Sequence, residues 1–220
     1  MMILEVKNLI KEYIQGDDLT RVLDDVNLSV TNGEFIIITG RSGSGKTTLL
    51  NIMAGLTFPS SGKVLFSGQD IFSLTDKELS AYRNSKIGFI PQVSSVLSNL
   101  TVLDNVRLPF FLMKRQGDPT GEAVKILGML GIEKLMEKSP KRLSGGQLKR
   151  VAIARAMINK PDFILADEPT SDLDDQTAME IIKVFTELAV NGTGIIMITH
   201  DLETLGHANK QYNLIGGHLT

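Results

Sequence analysis

Short apolar runs alternate with stretches of helical spacing along the chain, and this order predicts an α/β fold. Within residues 2–38, several strand-like segments lead to the continuous apolar run 35–38, which is typical of a strand buried on both faces. A glycine-rich segment follows, and apolar positions then recur with the period of a helix that begins near Lys46. Later apolar runs predict strands at 63–66, 87–90, 163–166 and 194–198, with a helix over 177–190. We therefore expect an α/β core whose strands are buried on both faces.

The stretch from residue 97 to residue 157 follows a different pattern. Its apolar positions have helical spacing over 102–112, 121–130 and 148–157, and no segment has the character of a strand. We interpret this stretch as a helical subdomain inserted into the α/β core. The prediction is a single domain of residues 1–220, in which 1–92 and 158–220 form the core and 93–157 form the helical subdomain.

Composition and charge restrict the class of protein. Cysteine is absent, which excludes disulfides and suits a reducing compartment, and the formal net charge of −2 does not favour a nucleic-acid partner. No apolar run approaches the roughly 20 residues of a membrane-spanning helix. The first residues carry charges where a signal peptide has its apolar region. We expect a cytoplasmic protein without signal peptide or transmembrane segment, which reaches the membrane only through a partner.

Residues 40–47, here called the phosphate loop, match G-x-x-x-x-G-K-[ST] at every fixed position. Glycines in such a loop let the backbone turn tightly and direct successive N–H groups at phosphate oxygens. The alternative is a glycine-rich turn without a ligand, but the position between a buried strand and a helix favours nucleotide binding. Lys46 is expected to reach the β- and γ-phosphates, and Thr47 to ligate Mg²⁺. The predicted nucleotide-binding residues here are Gly40, Arg41, Ser42, Gly43, Ser44, Gly45, Lys46, Thr47 and Thr48.

Polar side chains follow three further strand-like runs. Asp167 and Glu168 end the run 163–166, so Asp167 is expected near Mg²⁺ and Glu168 near the water that attacks the γ-phosphate. His200 follows the run 194–198 and could hydrogen-bond the γ-phosphate, or it could be a surface loop residue. Gln92 follows 87–90 and could reach the metal or the water, although a loop glutamine explains it equally well. The carboxylates, too, could simply be solvated acids at a strand end.

Residues 144–147, here called the signature segment, read Ser-Gly-Gly-Gln and open a helix that Ser144 can cap. A flexible backbone at a helix start is a second anion site in a chain that has only one phosphate loop. The economical explanation is that this segment completes the ATP site of another chain. We therefore expect a head-to-tail dimer that encloses two ATP molecules.

With Leu143 before it and residues 148–156 after it, the signature segment resembles the signature of ABC-transporter ATP-binding subunits, and the similarity covers essentially the whole chain. The resemblance implies the ABC ATPase fold, which is a P-loop NTPase core with a mixed sheet, an N-terminal antiparallel β subdomain and an inserted helical subdomain. It implies ATP and Mg²⁺ as ligands. It also implies a permease and a second ATP-binding subunit as partners. By motif, it implies that Tyr13 stacks on adenine, that Glu168 is the catalytic carboxylate and that His200 is the switch histidine. It also implies that Gln92 belongs to the Q-loop, 163–167 to the Walker B strand and 171–174 to the D-loop.

Three positions depart from the commonest family pattern: Pro91, Asp172 and the stretch 93–96, which lacks the usual aromatic residue. The segments 16–23, 79–83 and 100–109 resemble the branch of macrolide export, lipoprotein release and antimicrobial-peptide resistance. That resemblance implies a subunit that drives export or extrusion of a peptide, drug or lipoprotein.

Two other functions agree less well with the sequence. An ABC ATPase that acts on nucleic acid or ribosomes is disfavoured because there is one ATPase unit, no zinc-binding cysteine and a slightly acidic balance. A P-loop kinase or GTPase is disfavoured by the signature segment, and the Asn-Lys-x-Asp element with which GTPases read guanine is not expected.

Overall fold

The computed structural model describes residues 2–16, 18–93 and 95–220. Two sequence interpretations include residues outside this description. The branch resemblance at 16–23 contains Asp17, and the departure at 93–96 contains Ser94.

One of the two sheets is antiparallel and has four strands, in the spatial order β2-β1-β4-β5. Its long hairpin is interrupted by register shifts that bend the two strands, and the tip carries exposed apolar side chains at Ile14 and Leu19. This sheet confirms the predicted N-terminal antiparallel region. Its strands are β1 (Ile3–Gln15), β2 (Asp18–Thr31), β4 (Ser61–Phe66) and β5 (Gln69–Asp70).

The second sheet has six strands in the spatial order β10-β9-β3-β8-β7-β6. β3 pairs in parallel with β8 and β9, β7 pairs in parallel with β6 and β8, and β10 is antiparallel to β9, so the sheet is mixed as predicted. The strands are β3 (Phe35–Thr39), β6 (Ile87–Ile90), β7 (Phe163–Asp167), β8 (Gly194–Ile198), β9 (Lys210–Ile215) and β10 (His218–Leu219).

Six α-helices surround this sheet within the described residues. They are α1 (Lys46–Met53), α2 (Asp76–Ser85), α3 (Val102–Leu112), α4 (Thr120–Met129), α5 (Gly145–Met157) and α6 (Asp175–Val190). None of them is both long enough and apolar enough to cross a membrane.

The six-stranded sheet is buried on both faces, as the apolar run 35–38 predicts. Phe35 and Ile37 belong to an apolar cluster with α3, α4, α5 and α6. Ile36 and Ile38 point the other way, into a cluster with α1 and the antiparallel sheet. The helices between residues 97 and 157 thus share the apolar cluster on one face of the sheet with α6, where α5 contacts β6, and α3 and α4 pack against α5. Because both faces are covered, only the edges of this sheet where strands end are open to a ligand.

Candidate functional site

The carboxyl ends of β3, β7 and β8 lie side by side, because these strands are parallel neighbours. The phosphate loop leaves β3 there, Asp167 ends β7, and His200 follows β8. They surround a cavity of about 490 Å³, here called the loop cavity. It is lined by Val22, Gly40, Ser42, Gly43, Gly45, Lys46, Thr47, Thr48, Gln92, Asp167, Glu168 and His200.

The backbone of the phosphate loop requires glycine at two places. Gly40 and Gly45 have φ angles of 148° and 101°. A Cβ atom at Gly40 would lie 2.4 Å from the carbonyl oxygen of Leu214, and one at Gly45 would lie 2.7 Å from that of Val22. Neighbouring backbone therefore excludes any side chain at these positions, and without side chains there the loop backbone can approach an anion closely.

Lys46 and Ser44 place polar groups under this loop. The Nζ atom of Lys46 donates to the carbonyl oxygens of Gly40 and Arg41, at 2.9 Å each, and the side chain is buried. The hydroxyl of Ser44 is buried and has no hydrogen-bond partner among the described residues. A fixed cation and an unpartnered hydroxyl beside a glycine cradle fit a bound phosphate chain.

Thr47 and Asp167 meet at the base of the cavity. The Oγ1 atom of Thr47 donates to Oδ2 of Asp167 at 2.7 Å. Burial raises the pKa of Asp167, while the Thr47 hydrogen bond and the charge of Lys46 act in the opposite direction. No group of three His, Cys, Asp or Glu residues that could hold a metal occurs in the described part of the chain. One carboxylate with a hydroxyl is still a donor set that suits Mg²⁺, which takes further ligands from water and substrate phosphates.

The Glu168 carboxylate is held between two predicted site residues. Its Oε1 atom lies 3.4 Å from Nδ1 of His200, and its Oε2 atom accepts a hydrogen bond from Nε2 of Gln92 at 3.3 Å. The backbone of Glu168 has a left-handed φ of 48°, an uncommon conformation for a residue with a side chain. This turn directs the side chain away from the strand and into the cavity.

Three predicted nucleotide-binding residues of this region do not line the loop cavity: Tyr13, Arg41 and Ser44. Tyr13 lies near the tip of the β1–β2 hairpin, where the residue is 44% exposed and Nζ of Lys11 lies 4.8 Å from the ring centroid. Val22 does line the cavity, although sequence reasoning did not select it. No motif marks Val22, and only the packing of β2 against Gly45 brings it there.

The signature segment lies in a separate cavity of about 700 Å³, here called the signature cavity, which shares no lining residue with the loop cavity. Ser144 caps α5 through a reciprocal pair of hydrogen bonds. The backbone N–H of Gln147 donates to Oγ of Ser144, and that of Ser144 donates to Oε1 of Gln147. Within one chain, therefore, Ser144, Gly145, Gly146 and Gln147 do not join the other predicted site residues.

The chain does contain the Asn-Lys-x-Asp pattern, at residues 159–162, so the expectation of its absence is wrong. These residues precede β7 and lie at the opposite sheet edge from the phosphate loop. The Asn159 amide donates to Asn84, and Asp162 forms an ion pair with Lys86 at 3.0 Å. The pattern therefore cannot read a base of a nucleotide held at the phosphate loop.

This geometry defines a P-loop ATPase cassette, and comparison with known proteins specifies it further. The family model described as "ABC transporter" matches residues 23–171. The lipoprotein-releasing system ATP-binding protein LolD of Shewanella oneidensis is 41% identical over 99% of this chain and 96% of its own length. The macrolide export ATP-binding/permease protein MacB of Haemophilus ducreyi is 42% identical over 94% of this chain, which spans 30% of that protein.

Solved structures agree with these relatives. The bacterial ABC transporter cassette MJ0796 has been solved as a dimer, and also as a dimer in a post-hydrolysis state bound to ADP and Pi. These structures are 38% and 36% identical to this chain, with TM-scores of 0.92 and 0.90, over 98% of this chain and 96% of theirs. The chain belongs to the ABC transporter family, as an ATP-binding subunit that hydrolyses ATP. The predicted resemblance to the lipoprotein-release and macrolide-export branch is confirmed.

Proposed function

We propose that two copies of this chain bind two ATP molecules with Mg²⁺ head to tail, hydrolyse them and drive a separate permease. The permease would export or release a peptide, drug or lipoprotein, with this chain at the cytoplasmic face and no nucleic acid involved. The proposal is carried by one observation: the phosphate loop, the Thr47–Asp167 pair and the Glu168 carboxylate open into one cavity. That cavity combines cationic charge, metal ligands and a proton acceptor.

Each residue around the loop cavity has a role that its position supports. The phosphate loop and Lys46 bind the phosphates and hold the γ-phosphate in line for attack. Glu168 accepts a proton from the attacking water, and His200 and Gln92 orient its two carboxylate oxygens. Thr47, Asp167 and Gln92 hold Mg²⁺, which when bound neutralises charge on the phosphates. Tyr13, at the rim of the hairpin, stacks on the adenine ring.

The signature segment supports the dimeric part of the proposal. Because the signature cavity and the loop cavity share no residue, one chain cannot bring Ser144 to its own nucleotide. The dimers of the MJ0796 cassette provide precedent for a second chain. In a closed two-fold dimer each signature segment faces the partner's phosphate loop, so both sites are completed together.

A groove of about 400 Å³ between α2, β6, α3 and α5 is the proposed permease contact, here called the docking groove. Leu112 and Leu56 on its rim are 67% and 53% exposed, and Asn159 inside it has a buried Oδ1 atom without a partner in the described residues. Arg155 lines the groove and donates to the Ser95 carbonyl at 2.8 Å, close to Gln92 in the chain. A short helix of the permease fits this combination of apolar rim and unpaired acceptor, and the relative MacB carries a permease by name.

The Leu112→Glu substitution is expected to weaken the complex with the permease by roughly tenfold, since it places a charge on an apolar contact. The isolated chain should keep its ATPase activity, because Leu112 lines the docking groove and not the loop cavity. Val190→Glu, at an apolar residue 82% exposed on α6, is the matched control. The measurement is the titration of purified permease into each variant. Equal affinity of Leu112→Glu and Val190→Glu would place the permease elsewhere.

The Lys46→Ala substitution tests the nucleotide site itself. Loss of a charge-assisted phosphate contact costs about 1.5–3 kcal/mol, so Mg-ATP binding should weaken roughly tenfold to a hundredfold and phosphate release should cease. Lys63→Ala, at an exposed lysine of β4, should behave like the unaltered chain. Binding is measured by titration calorimetry and hydrolysis by phosphate release. Unchanged turnover in Lys46→Ala would refute the proposed function.

A further inference from the structure

Lys149 is a buried cation to which the mechanism above assigns no role. It lies on α5, is only 7% exposed, and directs its ammonium group at the loop that follows β7. Nζ donates to the carbonyl oxygen of Glu168 at 2.9 Å, to that of Ser171 at 3.0 Å, and to the Ser171 hydroxyl. All three N–H donors of the ammonium group are thus used within residues 168–171.

The backbone of residues 168–172 has an uncommon conformation, which hydrogen bonds from neighbouring groups stabilise. Glu168 and Asp172 both have left-handed φ angles, 48° and 61°. This conformation is unfavourable for residues with a side chain and persists only where the surroundings hold it. Within the stretch, the Ser171 hydroxyl also donates to the Glu168 carbonyl, at 3.0 Å. Lys149 and Ser171 together therefore set the turn that points the Glu168 carboxylate into the loop cavity.

The charge of Lys149 is balanced by acids on that side of the helix. Burial lowers the pKa of Lys149, and the charges of Asp172, Glu168 and Asp167 act in the opposite direction. An apolar side chain of similar length would remove the desolvation cost together with the hydrogen bonds. Loss of one partner of a buried contact is destabilising, because the carbonyl oxygens of Glu168 and Ser171 would keep no donor from Lys149. A variant that keeps N–H donors, compared with the apolar one and checked by thermal unfolding, therefore separates catalysis from folding.

The same helix also carries the signature segment. Ser144 caps α5 and Lys149 lies five residues further on, so one rigid helix joins the two. We propose that Lys149 is a positioning residue. It holds the Glu168 backbone in its catalytic orientation and ties that orientation to α5, so contact of the signature segment with a partner's ATP also positions Glu168 in its own chain. This inference rests on the proposed roles of Glu168 and of the signature segment.

The test compares Lys149→Met, Lys149→Gln and, as a matched control, Lys183→Met at an exposed lysine of α6. Lys149→Met is expected to lower kcat by about tenfold to a hundredfold, because a displaced catalytic group costs rate rather than binding. Its KM for Mg-ATP should stay within about twofold, since it leaves the phosphate contacts intact. Lys149→Gln keeps N–H donors on a slightly shorter side chain and should recover part of kcat.

A second readout separates positioning from damage to the structure. If only hydrolysis is impaired, Lys149→Met should accumulate as an ATP-bound dimer in gel filtration, which a disrupted interface would prevent. The inference would be overturned by a normal kcat in Lys149→Met or by loss of its ATP-bound dimer. It would also be overturned if Lys149→Met and Lys149→Gln had equal kcat. Glu168→Gln is measured alongside. If it still hydrolyses ATP, the proposed function fails, whereas an inactive Glu168→Gln beside an unaffected Lys149→Met rejects the role of Lys149 alone.

Discussion

The Glu168→Gln variant is expected to hydrolyse ATP about 10²–10⁴-fold more slowly than the unaltered chain while it still binds Mg-ATP. The amide keeps the shape of the carboxylate but cannot accept a proton from water. The substitution leaves the phosphate loop, Lys46 and the Thr47–Asp167 pair unchanged, so the contacts proposed to bind nucleotide remain.

Stalled hydrolysis should also change the state of assembly. If ATP holds two chains together, Glu168→Gln should elute as a nucleotide-bound dimer with Mg-ATP and as a monomer with Mg-ADP. Asp167→Asn provides the contrast, because loss of the buried carboxylate should impair metal-dependent binding and no dimer should persist. Glu187→Gln, at an exposed position of α6, controls for the change of charge. A normal rate of phosphate release in Glu168→Gln would show that Glu168 is not the base.

The central strands could be predicted because burial on both faces determines their amino-acid composition. β3, β7 and β8 are covered on both faces, and this requires the continuous apolar runs that identify them. The sequence did not predict β9, although this strand pairs with β3. Of its six residues only Leu214 is buried, and the rest of Lys210–Ile215 shows no apolar pattern. Its strand character comes from pairing with a neighbour distant in sequence, which local pattern does not contain.

The helix α2 was missed for a related reason. Only Leu79 and Tyr82 are buried in Asp76–Ser85, so too few apolar positions recur with helical spacing to identify the helix. Its start is nevertheless encoded, because Thr75 and Glu78 form a capping box. A search for caps as well as for apolar period would have identified this helix.

The residues of the candidate site also differ in whether a local sequence feature marks them. Glycine spacing and strand ends are local features, so the phosphate loop and the Asp167–Glu168 pair could be predicted from sequence. Val22 reaches the loop cavity, and Lys149 reaches the Glu168 backbone, from elsewhere in the chain and through packing that the local sequence pattern does not contain. Tyr13 was chosen by resemblance, and its position outside the loop cavity leaves the adenine contact a prediction.

Mixing two inactive variants should restore ATP hydrolysis if the signature segment of one chain completes the site of the other. Ser144→Arg fills the signature cavity and blocks the partner's nucleotide, but it leaves its own phosphate loop intact. Lys46→Ala has the opposite defect. A mixed dimer then contains one site in which an intact phosphate loop faces an intact signature segment.

Each variant alone should be nearly inactive, and Ser144→Arg as a monomer should bind Mg-ATP normally. In an equal mixture with random pairing, half the dimers are mixed, and each mixed dimer has one intact site of its two. About a quarter of the activity of the unaltered chain should therefore return if the sites act independently. Phosphate release is measured as the ratio of the two variants is varied at constant total protein. Loss of the Ser144 cap costs about 1 kcal/mol, so thermal unfolding of Ser144→Arg must confirm that the fold survives. If folded variants that pair normally show no recovery at any ratio, the signature segment does not act in trans.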